Sequence, residues 1–144
     1  MVTIREAAKI CYDRLGIDTS AYEKAAVYTH VDSTIGYEEK IKQRAEMIEF
    51  CLKNNIVPVF ECSDVCDDEC CLDERKGLKK IINEAKGARA WDTLIVENEN
   101  NMAGDWFGST AVKIALRNVG VEVVERYGKA DNANIEKIRK ILRK

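Results

Sequence analysis

Apolar residues recur at helical spacing in five segments of the chain. In the first segment, Ile4, Ala8 and Cys11 lie on one side of a helix. This helix is predicted to end near Gly16, a residue that often closes helices. Later segments with the same period predict four more helices, from about 37 to 53, over 78–85, over 102–118 and after Asp131.

Short apolar runs separate these helices and predict strands over 25–31, 56–60, 93–96 and 121–124. Pro58 lies in the second run and cannot donate a ladder hydrogen bond, so this strand is predicted at or near a sheet edge. Strands that alternate with helices form crossover units. The sequence therefore predicts an α/β fold, with a mainly parallel sheet of four or five strands covered by helices on both faces.

The chain has 144 residues, which fits a single domain over 1–144. Within it we expect a helical extension over 1–20, a core over 24–127 and a short C-terminal helix over 131–144. No apolar run approaches the roughly 18–20 residues that span a bilayer, so no membrane contact is expected. The first residues lack a signal-peptide core, and a cytoplasmic location is predicted.

Charge is nearly balanced overall but unevenly placed. Lys and Arg number 23 against 25 Asp and Glu, a net charge of −2. Residues 126–144 carry 7 basic and 2 acidic side chains, hence +5, which leaves −7 for residues 1–125. Weak DNA-phosphate contacts are therefore expected only from the tail, where a solvated cationic helix end is the competing interpretation. The candidate DNA-binding residues are Lys137, Arg139, Lys140, Arg143 and Lys144.

Five short motifs follow one another between Ala25 and Tyr127. They are Tyr28–Ser33, Arg75–Leu78, Asp92–Val96, Asn101–Asp105 and Gly120–Val121. In order and spacing they resemble the N-terminal catalytic domain of the resolvase/invertase family of serine site-specific recombinases. The resemblance implies that family's α/β catalytic fold and its reaction, in which a serine attacks a DNA phosphodiester and arginines stabilise the phosphate.

The position of the family's attacking serine holds a carboxylate in this chain. The resemblance aligns that serine with Asp32 and a motif arginine with His30. A carboxylate there brings negative charge to a phosphate and cannot form the serine linkage. Ser33 comes next, and strand alternation points it to the opposite face unless a bulge or the start of a loop shifts it.

The cations that would stabilise a phosphate are also depleted. The two arginines of a later family motif align with Asn101 and Gly104, and Arg75 alone remains. One preorganised donor can contribute about 3–4 kcal/mol of transition-state stabilisation. We therefore predict that Ser33, Arg75, Asp32 and His30 mark a degenerate catalytic site.

The resemblance also predicts a truncated member of the family. Only residues 132–144 follow Asp131, where the family continues into a long helix and a DNA-binding region. The predicted function is a dimerising or accessory module without strand-exchange activity and without a cofactor. Its expected partner is a second copy or another protein, such as an intact recombinase, with weak or absent DNA binding. The alternative is an active or residual DNA recombinase or nuclease that uses Ser33, helped by Arg75 and Arg44.

Residues 61–74 contain seven carboxylates and no Lys or Arg, together with Cys62, Cys66, Cys70 and Cys71. Thiolates and carboxylates both bind metal ions. The spacing lacks the two-residue gap of zinc knuckles and no histidine is near in sequence, so no metal is predicted and an exposed loop of reduced thiols is favoured. A metal- or small-ligand-binding protein that uses this loop remains a second alternative, with Asp32, Glu97 and Asn98 at the strand ends.

Two adjacent aromatic residues, Trp106 and Phe107, come early in a predicted helix. Large aromatic side chains are mostly buried. We therefore expect these two to pack within the fold rather than to form a binding face.

Overall fold

The computed structural model describes residues 2–67, 69–128 and 130–143. The helices and strands follow one another in the order that the sequence predicts. The elements are α1 (Ile4–Leu15), β1 (Glu23–Val31), α2 (Tyr37–Lys53), β2 (Ile56–Val65), a short 3-10 helix (Leu72–Glu74), α3 (Lys76–Ala85), β3 (Thr93–Val96), α4 (Trp106–Asn118), β4 (Glu122–Glu125) and α5 (Asn132–Leu142).

The strands within the described residues form one four-stranded parallel sheet in the order β2-β1-β3-β4. The predicted α/β class and parallel sheet are confirmed. β2 is an edge strand, as Pro58 indicates, and its pairing with β1 shifts register between Ala25 and Ala26, beside Pro58. The missing amide hydrogen is tolerated at such a position.

β2 is longer than the sequence predicts, because it runs to Val65 instead of ending near Phe60. Residues Glu61 to Val65 pair in parallel with β1, although they belong to the segment that was predicted as a loop. Three of the four clustered cysteines lie beyond the strand, but Cys62 lies within it. The prediction of an exposed loop that starts at Glu61 was therefore wrong for its first five residues.

Two hydrophobic clusters cover the two faces of the sheet. On one face, α1, α2 and α5 pack together, and their buried residues include Ala8, Ile48 and Ile138. On the other face, α3 and α4 contribute Leu78, Ile81 and Leu116. Helix α1 is part of the first cluster, and its N-terminal neighbour Val2 donates to the Leu142 carbonyl over 3.1 Å.

Helix α4 begins at Trp106, four residues later than predicted, because Asp105 caps it. The Asp105 carboxylate accepts from the Gly108 amide over 2.6 Å. The cap leaves Trp106 and Phe107 on the outer side of the first turn, where they are 64% and 78% exposed. The expectation that these rings pack within the fold was wrong.

Candidate functional site

The predicted catalytic residues lie at the carboxyl end of the parallel strands and in the loops that follow it. β1, β2 and β3 all end there, at Val31, Val65 and Val96. Open parallel sheets bind ligands at this end, because the loops that follow adjacent strands meet there. The turn after β1, the cysteine segment after β2 and the loop after β3 form this region.

The turn after β1 holds Asp32 and Ser33. The Asp32 carboxylate accepts hydrogen bonds from the Thr34 amide over 2.9 Å and from the Thr34 hydroxyl over 2.7 Å. This local bonding is the usual way in which an aspartate starts a turn. Ser33 lies in the middle of the turn and is exposed, whereas Asp32 is half-buried.

Arg75 lies inside the protein with none of its surface exposed. Its Nε donates to the Cys70 carbonyl over 2.9 Å, and its Nη1 donates to the Met102 carbonyl over 3.0 Å. The side chain thereby joins the segment after β2 to the loop after β3. These bonds use the guanidinium for the backbone, since a buried cation needs such compensation.

Asp64 is a buried residue in this region that the sequence did not single out. Its carboxylate accepts from the Gly77 amide over 2.7 Å and the Leu78 amide over 3.0 Å, so it caps α3 from the neighbouring strand. It also accepts from the Tyr28 hydroxyl over 2.7 Å. Burial and this carboxylate raise the pKa of Tyr28, which keeps the hydroxyl protonated as a donor.

No local pattern points to the cap of Asp64, because it lies 13 residues before Gly77. One signal was present: Gly77 has no side chain, and a Cβ there would lie 2.6 Å from the Ser63 carbonyl. A glycine in the first turn of a helix is consistent with such a close approach to a strand. Arg75, Tyr28 and Asp64 are called the buried arginine network below, since Tyr28 interacts with both charged groups.

His30 lies beside Cys66 and Cys70, although 36 residues separate it from the first of them. A ring nitrogen of His30, Nε2, lies 3.0 Å from the Cys66 carbonyl oxygen. Cys66 and Cys70 form a disulfide, so the prediction that the thiols of this segment are reduced was wrong for this pair. A ring nitrogen of His30 and the two sulfur atoms all lie within 4.8 Å of one another.

The other two clustered cysteines are separate from this group. Cys62 is half-buried on β2, where it packs against the cluster of α3 and α4, and burial raises the pKa of its thiol. Cys71 is exposed, and its Sγ lies 3.9 Å from a Glu74 carboxylate oxygen. The four cysteines therefore do not form one cluster in the fold.

An open cavity of about 520 Å³ adjoins the disulfide and is lined by carboxylates. We call it the acidic cavity; its lining residues are Asp32, Asp67, Glu69, Cys70 and Glu74. None of these side chains is a cation. The cavity therefore favours positively charged ligands and disfavours anions.

Asn101 and Gly104 lie in the loop after β3. Asn101 is half-buried and lines a cavity of about 200 Å³ together with Tyr28 and His30. Gly104 has a φ of +96°, and a Cβ there would clash with the Cys70 carbonyl oxygen. This backbone therefore has no room for a side chain at Gly104.

Arg44 and Glu97 interact with other charged residues. Arg44 lies 3.8 Å from Glu61, whose carboxylate accepts from the first amides of α1. Glu97 pairs with Arg126 over 3.1 Å, and burial raises the pKa of its carboxyl. Asn98 shares the 200 Å³ cavity with Asn101.

Nearby carboxylates neutralise part of the positive charge of the basic tail. Arg139 pairs with Glu38 over 2.9 Å and with Glu136 over 3.0 Å, and Arg143 also pairs with Glu38. Lys137 and Lys140 are exposed on α5. Lys144 lies outside the described residues.

No helix in the described part of the chain combines the length and the apolar character needed to cross a membrane.

A search of solved structures finds catalytic domains of serine recombinases. The C-terminal catalytic domain of ISC1926 TnpA, an IS607-like serine recombinase, matches with a TM-score of 0.60 and 18% identity, over 79% of this chain and 75% of that one. The N-terminal catalytic domain of TP901-1 integrase matches with a TM-score of 0.59 and 15% identity, over 84% of this chain and 95% of that one. No protein-family model and no curated protein matches the sequence. The chain therefore has the fold of serine recombinase catalytic domains, and the predicted resemblance is confirmed at the level of the fold.

Proposed function

We propose that this protein is a serine-recombinase-like module that does not cut or rejoin DNA and acts through protein contacts. The observation that carries the proposal is the burial of Arg75, whose guanidinium donates to the Cys70 and Met102 carbonyls. The transition state of an attack on a phosphodiester carries extra negative charge, which preorganised cations at the reacting centre stabilise. The single arginine that the motifs retain is committed to holding two loops together.

The electrostatics of the strand ends support the same proposal. The acidic cavity places four carboxylates next to the position where the family has its nucleophile, and one of them is Asp32 at that position. A DNA phosphate that entered this cavity would meet like charges. Such repulsion opposes binding of the substrate as well as stabilisation of its transition state.

The loop after β3 adds a steric argument. Where the family motif has an arginine, Gly104 has a positive φ and lies against the Cys70 carbonyl. A side chain there requires this loop to move away from the cysteine segment. We therefore propose that glycine at position 104 both removes the arginine of the family motif and lets the loop after β3 pack closely against the cysteine segment.

The proposed partner is a second copy of this chain or another protein, such as an intact recombinase. The proposed location is the cytoplasm. Trp106 and Phe107 support a protein contact, because two adjacent exposed aromatic rings are typical of interfaces. Weak or absent DNA binding is part of the proposal, since Arg139 and Arg143 pair with Glu38.

The test is a cleavage assay on supercoiled plasmids with random inserts, followed by a denaturing gel that detects protein joined to DNA. Wild-type protein, Ser33→Ala and the matched surface control Ser20→Ala are compared, with an active serine recombinase run in parallel. We expect no nicking, relaxation or adduct from any of the three proteins. An adduct formed by wild type and Ser20→Ala but lost in Ser33→Ala would contradict the proposal and favour an enzyme that uses Ser33.

A further inference from the structure

His30, Cys66 and Cys70 bring together two kinds of metal-binding group at the carboxyl end of β1 and β2. His30 is the next-to-last residue of β1, and Cys66 directly follows β2, the paired neighbouring strand. The Cys66 amide donates to the Val31 carbonyl over 3.1 Å, which holds the two strand ends in register. The backbone thus fixes the histidine next to the first cysteine.

The three side chains offer a nitrogen and two sulfur atoms that lie within 4.8 Å of one another. Imidazole nitrogen and thiolate sulfur are the preferred ligands of Zn²⁺, which takes four ligands in a tetrahedron. Two thiolates and one imidazole also occur at catalytic zinc sites that keep a position for water. The set is therefore sufficient for a zinc site with one further ligand.

The hydrogen bond of His30 is consistent with this role. A carbonyl oxygen only accepts, so the tautomer that makes this 3.0 Å contact with the Cys66 carbonyl a hydrogen bond carries its proton on Nε2 and its lone pair on Nδ1. Metal-binding histidines usually donate their other ring N–H in this way, which orients the ring and fixes its tautomer.

The surrounding charge favours a cation. Cys70 is part of the lining of the acidic cavity, together with Asp32, Asp67, Glu69 and Glu74. These carboxylates raise the local concentration of divalent cations. A carboxylate of this cavity or a water molecule can supply the fourth ligand.

We propose that the reduced protein binds one Zn²⁺ through His30, Cys66 and Cys70. The disulfide between the two cysteines must open first, because both sulfur atoms are needed as thiolates. A dithiol reductant supplies two electrons and two protons to the Cys66–Cys70 bond and itself becomes a disulfide, which yields two thiols. Zn²⁺ then replaces the two thiol protons, which are released to solvent.

Oxidation reverses this sequence. A disulfide oxidant takes two electrons from the thiolates and two protons from solvent and becomes two thiols, while the Cys66–Cys70 bond re-forms and the zinc ion leaves. Zinc binding at this site is therefore controlled by the redox state of the cysteine pair.

The experiment uses the full chain, reduced with dithiothreitol that is then removed under anaerobic conditions. Zn²⁺ is titrated against a chromophoric chelator, and Co²⁺ is added to a parallel sample. We expect one Zn²⁺ per chain, visible ligand-field bands of tetrahedral Co²⁺, and thiolate-to-cobalt charge-transfer absorption. The oxidised protein is expected to bind neither ion.

Variants separate the three ligands from the other cysteines. We expect zinc affinity to fall more than about 100-fold in each of the variants Cys66→Ser, Cys70→Ser and His30→Ala. Losing a residue that only hydrogen-bonds to a metal ligand typically lowers affinity about 10–100-fold. The matched controls Cys62→Ser and Cys71→Ser are expected to change it less than about 3-fold. Circular dichroism of each variant without metal verifies the fold.

Absence of cobalt–thiolate absorption in the reduced wild-type protein would overturn the proposal. So would zinc binding that survives in both Cys66→Ser and Cys70→Ser, or that is lost in the two control variants. These readouts are independent of the DNA-cleavage assay, so either proposal can fail alone.

Discussion

Two neighbouring regions at the carboxyl end of the sheet differ in how their charged side chains are placed. In the buried arginine network, Arg75 and Asp64 are enclosed, and backbone groups and Tyr28 satisfy them. In the acidic cavity, four carboxylates face an open space without a cation among the lining residues. The positive charge of Arg75 therefore stabilises the fold, whereas the lining of the neighbouring open cavity is negative.

The largest expected effect comes from Arg75. Arg75→Ala leaves the Cys70 and Met102 carbonyls without their donor and removes the cation that interacts with Tyr28, so we expect a loss of about 3–5 kcal/mol in the free energy of unfolding. Urea denaturation followed by circular dichroism measures it. Arg75→Lys keeps the charge, so its smaller loss stays measurable if the alanine variant does not fold.

The matched control for Arg75 is Arg117→Ala, an exposed arginine on α4. Its expected change is within about 0.5 kcal/mol. If Arg75→Ala costs less than about 1 kcal/mol, the guanidinium does not stabilise the fold, and the contrast between the two regions fails.

The next effect concerns the cap of α3. Asp64→Ala removes the acceptor of the Gly77 and Leu78 amides and of the Tyr28 hydroxyl, so a loss of about 2–3 kcal/mol is expected. The same denaturation experiment applies. Asp13→Ala, which removes an exposed carboxylate paired with Lys9, is expected to cost less than about 0.5 kcal/mol. Equal losses in the two variants would show that the Asp64 cap of α3 does not stabilise the fold.

A glycine pair separates steric contact from backbone strain. Gly104 and Gly128 have similar φ values of +96° and +89°, but only at Gly104 would a Cβ meet a neighbour within 4 Å. Gly104→Ala is therefore expected to cost about 1–2 kcal/mol more than Gly128→Ala. Thermal unfolding of both variants measures the difference. No difference would mean that the loop after β3 can move and admit a side chain.

The smallest effect on stability is expected for the aromatic pair on α4. Phe107→Ser changes a side chain that is 78% exposed, so the free energy of unfolding should move by less than about 0.5 kcal/mol. Under the proposed function the same variant weakens self-association, which sedimentation velocity measures over a range of concentrations. A stability loss above about 1 kcal/mol would show that the ring packs within the fold after all.

The sequence predicts most of the fold because its signals are local. β3 matches the predicted residues, and α2 begins at the predicted Tyr37, since apolar period and turn residues act over a few positions. The extension of β2 to Val65 was missed because Asp64 is polar. Its carboxylate is buried against the first amides of α3, a partner that no local pattern reveals.

The site is less predictable, since it depends on register between strands. His30 and Cys66 meet because β1 and β2 pair in parallel, and the sequence places them 36 residues apart. The exposure of Trp106 depends on where α4 starts, and the Asp105 cap moves that start by four residues. Composition alone cannot determine which face an aromatic ring takes.

The cleft at the strand ends, which contains the acidic cavity, is expected not to hold an anion, and a titration of inorganic sulfate into isotopically labelled protein measures this. The backbone amide resonances of Ser33, Thr34 and Asp67 report on the cleft, and those of α5 serve as an internal reference. We predict that the cleft resonances do not show saturable shifts at low ionic strength. A saturable shift centred on Ser33, stronger than any on α5, would mean that the cleft binds anions and that its negative charge does not exclude a phosphate.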